Sequence, residues 1–358
     1  MDGPDFYDNY NLTDADTSFT AAPDLSSMDS LALSPVAWAA LALFSLVFLV
    51  GVLGNGAVVW VVGFQMRHTV NTVWFLNLSM ADLLCCLTLP FLAIPLARNQ
   101  HWPLGGFACK LLPSVIILNM FASILLLTAI STDRCALVMR PVWCQNHRSA
   151  PLAWGLCGGA WGLAFLLTLP SFLIRQLNVD RFSEKVSCVV DYSAWGGRTL
   201  ELSLAISRFL LGFLVPLAII SLCYGLLLLR LHRSHALRSR KTLTVVLVVV
   251  LGFFVCWTPY HVTGLILAKE TPNSTLFISL SQAEPLIVAL AYVNSCINPV
   301  IYVIAGQGFQ TKMCRSLKAV LRNIMSEEAL QPSVRAECHT RATGLSTMAE
   351  DRSTSTTV

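Results

Sequence analysis

The apolar positions of this chain gather into seven long runs, at about Trp38 to Phe64, Thr72 to Ala97, Phe107 to Met139, Leu152 to Ile174, Leu200 to Leu231, Leu243 to Ala268 and Leu280 to Ala305. At a rise of about 1.5 Å per residue, each is long enough to cross a hydrocarbon core of roughly 30 Å as one helix. The pattern predicts an all-α membrane protein, a seven-transmembrane helix bundle over residues 35–305. The third run differs from the others. It has no charged side chain from Leu111 to Thr132, stops at Asp133-Arg134, and carries Asn119, Ser123 and Arg134 at spacings of 4 and 11, one side of a 3.6-residue helix. Polar groups in a bilayer are costly unless they face protein or a wet cavity, so this helix is expected at the buried centre of the bundle.

The polar connections fix the orientation. Arg67 follows the first run, Arg140 and Arg148 the third, Arg230, Arg233, Arg238, Arg240 and Lys241 the fifth, and Lys312, Arg315, Lys318 and Arg322 the seventh. Basic residues favour the cytoplasmic side, so these ends face inward and the amino terminus faces out. Residues 1–34 form a polar arm with Asp2, Asp5, Asp8, Asp14, Asp16, Asp24 and Asp29 and no Lys or Arg. Such a stretch is expected to be disordered. It reads either as a solvated tail or as an extracellular arm that attracts a basic partner, with Tyr7 and Tyr10 sulfated among the acids. After the seventh run, residues 306–325 interleave Phe309, Met313, Leu317, Val320 and Leu321 with basic residues. This predicts a short amphipathic eighth helix on the inner membrane lipid, where Cys314 is either acylated or an ordinary interfacial cysteine. The Ser/Thr-rich tail, residues 326–358, is expected to be disordered.

Composition strengthens the membrane assignment: 12% of the 358 residues are charged, against about 25% in typical soluble domains. A net charge of +4 gives no footprint for nucleic acid. No basic segment followed by a short apolar core and a cleavage site opens the chain, so the first span is expected to be its own anchor. Most of the 12 cysteines lie in apolar spans, but Cys109 and Cys188 fall in connections that face outward and are the natural disulfide pair. No zinc-type Cys/His spacing occurs, and no metal is expected. Of the glycosylation sequons, those at Asn11 and Asn273 fall outside, whereas Asn77 lies within a span and is expected to be unmodified.

Inside the spans, Asp82 is the sole acid of span two, and Asn119, Ser123, Asn294 and Asn298 are placed to meet it. One carboxylate among neutral oxygens and amides suits a hydrated sodium ion, or a self-satisfied hydrogen-bond network. No other cofactor is expected. Pro90, Pro170, Pro216, Pro259 and Pro299 interrupt spans and predict kinks, with Trp257 two residues before one of them.

Together, Gly54-Asn55, Leu78 to Asp82, Asp133-Arg134, Trp161, Pro216 with Tyr224, Cys256 to Pro259 and Asn298 to Tyr302 resemble the rhodopsin-class G-protein-coupled receptors over nearly the whole chain. The resemblance implies a plasma-membrane receptor, not an enzyme, that binds ligand outside and opens a cytoplasmic crevice for a G protein. It implies that Arg134 reaches the G protein once span six swings outward, that Tyr224 and Tyr302 stabilise the open state, and that Trp257 relays ligand contact to the hinge. Span seven has no lysine for retinal, and Ile116 stands where amine receptors carry an acid. His101 to Pro103, Trp143 to Asn146, Ala305 to Gln310 and Ser346 to Ala349 instead resemble the complement anaphylatoxin chemotactic receptors, particularly those for the fragment of complement component 5.

That resemblance implies a cationic protein ligand ending in arginine, held first by the acidic arm and then in a pocket. Glu284 takes the position of the acid that pairs with the terminal arginine side chain, Arg208 and Arg175 suit its carboxylate, and Tyr260 lines the floor. The bland alternative for Arg175 is an interfacial side chain reaching to the headgroups. The expected partners inside are an inhibitory-class heterotrimeric G protein and arrestin, the latter through phosphorylation of tail sites such as Ser326, Ser333, Thr340, Ser346, Ser353, Thr354 and Ser355. Thr356-Thr357-Val358 also resembles a PDZ ligand. Cys135 replaces the usual aromatic after Arg134, and Glu284 to Val288 resembles the non-signalling second receptor of the family, which leaves an arrestin-coupled scavenger as the rival. A transporter or channel around Asp82 is the rival from another class, and it would be expected to show repeat symmetry, which is not apparent.

Overall fold

The computed structural model describes residues 33–181, 183–234 and 240–305. Ser34 starts the first helix by accepting the Ala37 backbone N–H at 3.1 Å, with Pro35 in the first turn, where its missing N–H does no harm. Helix α1 (Pro35–Trp60) continues as a π-helical turn, Val61–Gln65. Thr69 and Thr72 cap each other's backbone at the start of α2 (Val70–Cys86). The second span then breaks at Leu87-Thr88 and resumes as α3 (Leu89–Ala97), with Pro90 tolerated in the new first turn. Next come α4 (Gly105–Met139), the one-loop helix α5 (Pro141–His147) and α6 (Ala150–Leu173). Strands β1 (Arg175–Val179) and β2 (Val186–Val190) form an antiparallel hairpin in which Arg175 faces Val190 and Leu177 faces Cys188. Helix α7 (Gly197–Phe209) passes through a π-helical turn, Leu210–Leu214, into α8 (Val215–Ser234). Helices α9 (Arg240–Lys269) and α10 (Thr275–Ala305) complete the described chain.

Among the described residues, seven helical stretches are long and apolar enough to span a membrane, and they follow the seven runs of the sequence. The third is the innermost: 67% of its apolar window is buried, and no other span exceeds 50%. Its polar stripe has therefore found a protein interior, as the cost of bare polar groups in lipid requires. The expected kink at Pro216 takes the form of the preceding π turn, because a proline there cannot donate to the carbonyl one turn earlier. The first and seventh spans meet closely where Gly54 faces Pro299: a Cβ on Gly54 would sit 2.8 Å from the Pro299 Cβ. Asn55 ties the same helices by donating from Nδ2 to the Ser295 backbone oxygen at 2.8 Å. The eighth helix, the amino-terminal arm with Tyr7, Tyr10 and Asn11, the tail phosphorylation sites and Cys314 lie outside the described residues.

Candidate functional site

The outer end is organised by a covalent tie. Cys109 in the first turns of α4 is disulfide-bonded to Cys188 in β2, with Cα atoms 5.5 Å apart. Trp102 reinforces the hairpin, donating from its backbone to the Val186 oxygen at 2.8 Å and from its indole to the Gly105 oxygen at 3.0 Å. This holds the hairpin across the bundle mouth and fixes Arg175, the first residue of β1, over the interior. Arg175 thus sits two residues beyond α6, half-buried at the start of a strand.

Beneath the hairpin lies a cavity of two lobes. One, of about 290 Å³, is lined by Ser171, Glu201, Arg208 and His261, and the other, of about 490 Å³, by Phe44, Leu96, Trp102 and Ile116. Arg175, Tyr260 and Glu284 line both and stand between them. All four pocket residues expected from the sequence are therefore gathered. Arg208 donates from Nη1 to the Tyr260 hydroxyl at 3.2 Å and from Nη2 to the Ser171 hydroxyl at 3.4 Å. The Arg175 Nε is buried without a hydrogen-bond partner, whereas Glu284 is exposed. Among the described residues neither arginine forms an ion pair with Glu284 or Glu201. Burial draws the Arg175 guanidinium below its ordinary range, with Arg208 adding repulsion and Tyr260 and Glu284 opposing the shift; it stays cationic. Opposite charges are thus present but held apart, which suits a ligand that brings both signs.

The floor of this cavity leads to the middle of the bundle. Tyr260 meets Trp257 edge-on at 5.5 Å between ring centres, and Trp257 is fully buried against Phe253 at 5.9 Å. One level deeper, Asn298 Nδ2 donates to Asp82 Oδ2 at 2.6 Å, Ser123 Oγ to Asn119 Oδ1 at 3.3 Å, and Asn119 Nδ2 to Ser295 Oγ at 3.4 Å. Asp82 Oδ1, Ser79 Oγ, Asn298 Oδ1 and Asn294 Nδ2 are buried with no partner. A carboxylate among hydroxyl and amide oxygens is a donor set that could hold a small cation. Ser295 joins this group although the sequence reading passed over it; its position one residue after Asn294 gave no periodic signal.

At the inner end of the stripe that carries Asn119 and Ser123 stands Arg134. It pairs with Asp133 at 3.0 Å and hydrogen-bonds Asn71 at the start of α2. Arg148, from the connection between α5 and α6, grips the same carboxylate at 2.7 and 3.0 Å and the same Asn71 oxygen at 2.7 Å. Cys135 packs with Cys223 and Leu227, and Tyr224 of α8 lies against them. Asn71 and Arg148 were not singled out by sequence; Arg148 had counted only as a cytoplasmic charge. The Tyr302 backbone is helical, but its side chain lies outside the described residues.

Residues 54–302 match the family model of the 7 transmembrane receptor (rhodopsin family). The chain belongs to that family. It is a multi-pass plasma-membrane receptor and not an enzyme. It is 52% identical over 291 residues, 81% of this chain and 83% of the relative, to the C5a anaphylatoxin chemotactic receptor 1 of Homo sapiens. The receptor of that name from Gorilla gorilla gorilla is 51% identical over 311 residues, 87% of both chains, and that from Oryctolagus cuniculus 50% identical over 322 residues, 90% of this chain and 92% of the relative. Asn273 is exposed in the connection before α10, as a glycosylation acceptor must be, while Asn77 is buried and accepts the Trp161 indole at 3.2 Å.

Proposed function

We propose that this receptor binds the C5a anaphylatoxin and drives chemotactic and inflammatory signalling through an inhibitory-class G protein. The observation that carries the reading is the joint lining of one outer cavity by Arg175, Arg208, Tyr260 and Glu284, in a chain about half identical to C5a receptors. The acidic arm draws in the cationic ligand; its terminal arginine then enters the cavity, side chain toward Glu284 and carboxylate toward Arg208 and Arg175. Ligand pressure on Tyr260 reaches Trp257 by their direct ring contact. Phosphorylated tail residues recruit arrestin and end the signal. A sodium ion on Asp82 Oδ1 and the neighbouring hydroxyls and amide oxygens favours the resting bundle. The deciding test is Glu284→Ala: binding of full-length C5a weakens about 100-fold, while a fragment lacking its terminal arginine loses no more than about threefold. Equal losses sink the assignment.

Cys135 beside Arg134 favours a second reading, an arrestin-coupled scavenger of the same ligand. Nucleotide exchange in membranes separates the two, since a scavenger internalises C5a with no exchange.

A further inference from the structure

The inner cluster holds an asymmetry. Asp133 accepts two hydrogen bonds from Arg148 and one ion-pair contact from Arg134, and the Asn71 oxygen accepts from both. All three charged side chains are largely screened from water, with 11% exposure for Arg134, 12% for Asp133 and 21% for Arg148. On the signalling function proposed above, Arg134 leaves Asp133 to reach the G protein. A carboxylate stripped of its partner in such a place is strongly disfavoured. We propose that Arg148 is a positioning residue that keeps Asp133 satisfied when Arg134 departs, and so makes release of Arg134 affordable. This rests on the reading of the chain as a signalling receptor.

Geometry supports the role. The two Arg148 bonds reach both oxygens of Asp133, the planar fork that carboxylate and guanidinium form best. Its backbone is anchored independently of the moving parts: Arg148 N donates to the Cys144 oxygen at 3.0 Å, Cys144 is buried, and Ser149 next to it caps α6. No hydrogen bond of Arg148 reaches α9 or α10 among the described residues. An outward swing of span six therefore leaves the fork in place. Arg148 also competes with Arg134 for both acceptors, which weakens the resting lock by sharing it. Both effects push the same way, toward easier activation, and distinguish Arg148 from a clasp that merely holds the closed state.

The test uses the full-length receptor, with binding-site number measured by C5a, in membranes with an inhibitory-class G protein. Arg148→Gln is expected to shift the C5a concentration for half-maximal exchange upward about tenfold without raising basal exchange, and Arg148→Lys, which keeps charge but loses the fork, to fall between. In the Asp133→Asn background, compared with Asp133→Asn alone, Arg148→Gln is expected to cause no further shift, because the carboxylate that needed a partner is gone; a purely structural defect would persist as the same tenfold shift. The same proteins are purified and their binding of nucleotide-free G protein is measured without ligand, with the same rank order expected. That arm decides the proposal even for a wild-type chain silent to C5a, an outcome that would count against the function proposed above. Increased basal exchange in Arg148→Gln, persistence of its shift in the Asp133→Asn background, or no G-protein binding by any variant overturns the role of Arg148.

Discussion

The outer and inner ends of the bundle each set two arginines against acid, in opposite states. Outside, Arg175, Arg208 and Glu284 share a cavity yet make no ion pair with one another among the described residues, and Arg208 rests on the neutral hydroxyls of Tyr260 and Ser171. Inside, Arg134, Arg148 and Asp133 are joined by contacts of 2.7 to 3.0 Å. The difference is one of partner supply. On the proposed function, the outer charges stay open for groups a ligand brings, and the inner ones stay closed on one another until a G protein competes. On that same proposal, a structure with both ends paired would be stable and deaf to ligand, and one with both ends open would signal without it.

The largest break in this comparison comes from removing the tie that holds the outer end open. Cys188→Ser releases a link across 79 residues, whose constraint on an unfolded chain is about 4 kcal/mol. Arg175 and the hairpin lose their fixed place, so C5a binding is expected to fall by more than about 100-fold in receptors that still reach the surface, counted by an amino-terminal tag. Basal exchange should stay unchanged, because the inner cluster shares no residue with the hairpin. Loss of both would show that the two ends are not separable.

Next in size is the charge test within the cavity. Arg208→Ala is expected to weaken C5a about 30-fold and to weaken an amidated C5a about threefold, because only the free carboxylate needs a cation. Comparable losses would mean that Arg208 supports Tyr260 and Ser171 and does not read the ligand. At the inner end, Asp133→Asn removes the shared acceptor and should raise basal exchange about fivefold, with C5a affinity little changed. A silent Asp133→Asn would leave the paired inner end as packing alone.

How much of this was legible in the sequence follows from the range of each signal. The seven spans and the buried third helix were visible because bilayer length and polar cost act on continuous stretches. Cys109 with Cys188 followed from topology, and the gathering of Arg175, Arg208, Tyr260 and Glu284 from family resemblance. The Asp133–Arg148 fork was invisible, since its partners are 15 residues apart through a short helix and a turn, with no periodicity to connect them. Asn71 sits in the first turn of α2, where a polar residue looks like ordinary helix-start chemistry. The hairpin at Arg175 escaped because five-residue strands in a connection carry too little alternation to be read. The π turn before Pro216 was anticipated only as a kink, because proline dictates a lost hydrogen bond but not how the backbone absorbs it.

The smallest effect is also the one that most cleanly separates the two ends, because salt screens exposed charge and spares buried pairs. Raising potassium chloride from about 50 to about 300 mM should slow C5a association about fivefold while changing its dissociation little, since screening acts on long-range attraction between separated charges. The salt is potassium so that the sodium site proposed at Asp82 is not titrated in the same experiment. Neutralising the arm aspartates to asparagine should remove most of that dependence, leaving the slower rate at both salt levels. Basal exchange should be insensitive over the same range: the Asp133 contacts to Arg134 and Arg148 are short and largely shielded, so screening reaches them weakly. If basal exchange instead rises with salt as steeply as association falls, the inner cluster is as open to solvent ions as the outer charges, and the contrast between a waiting end and a closed end does not hold.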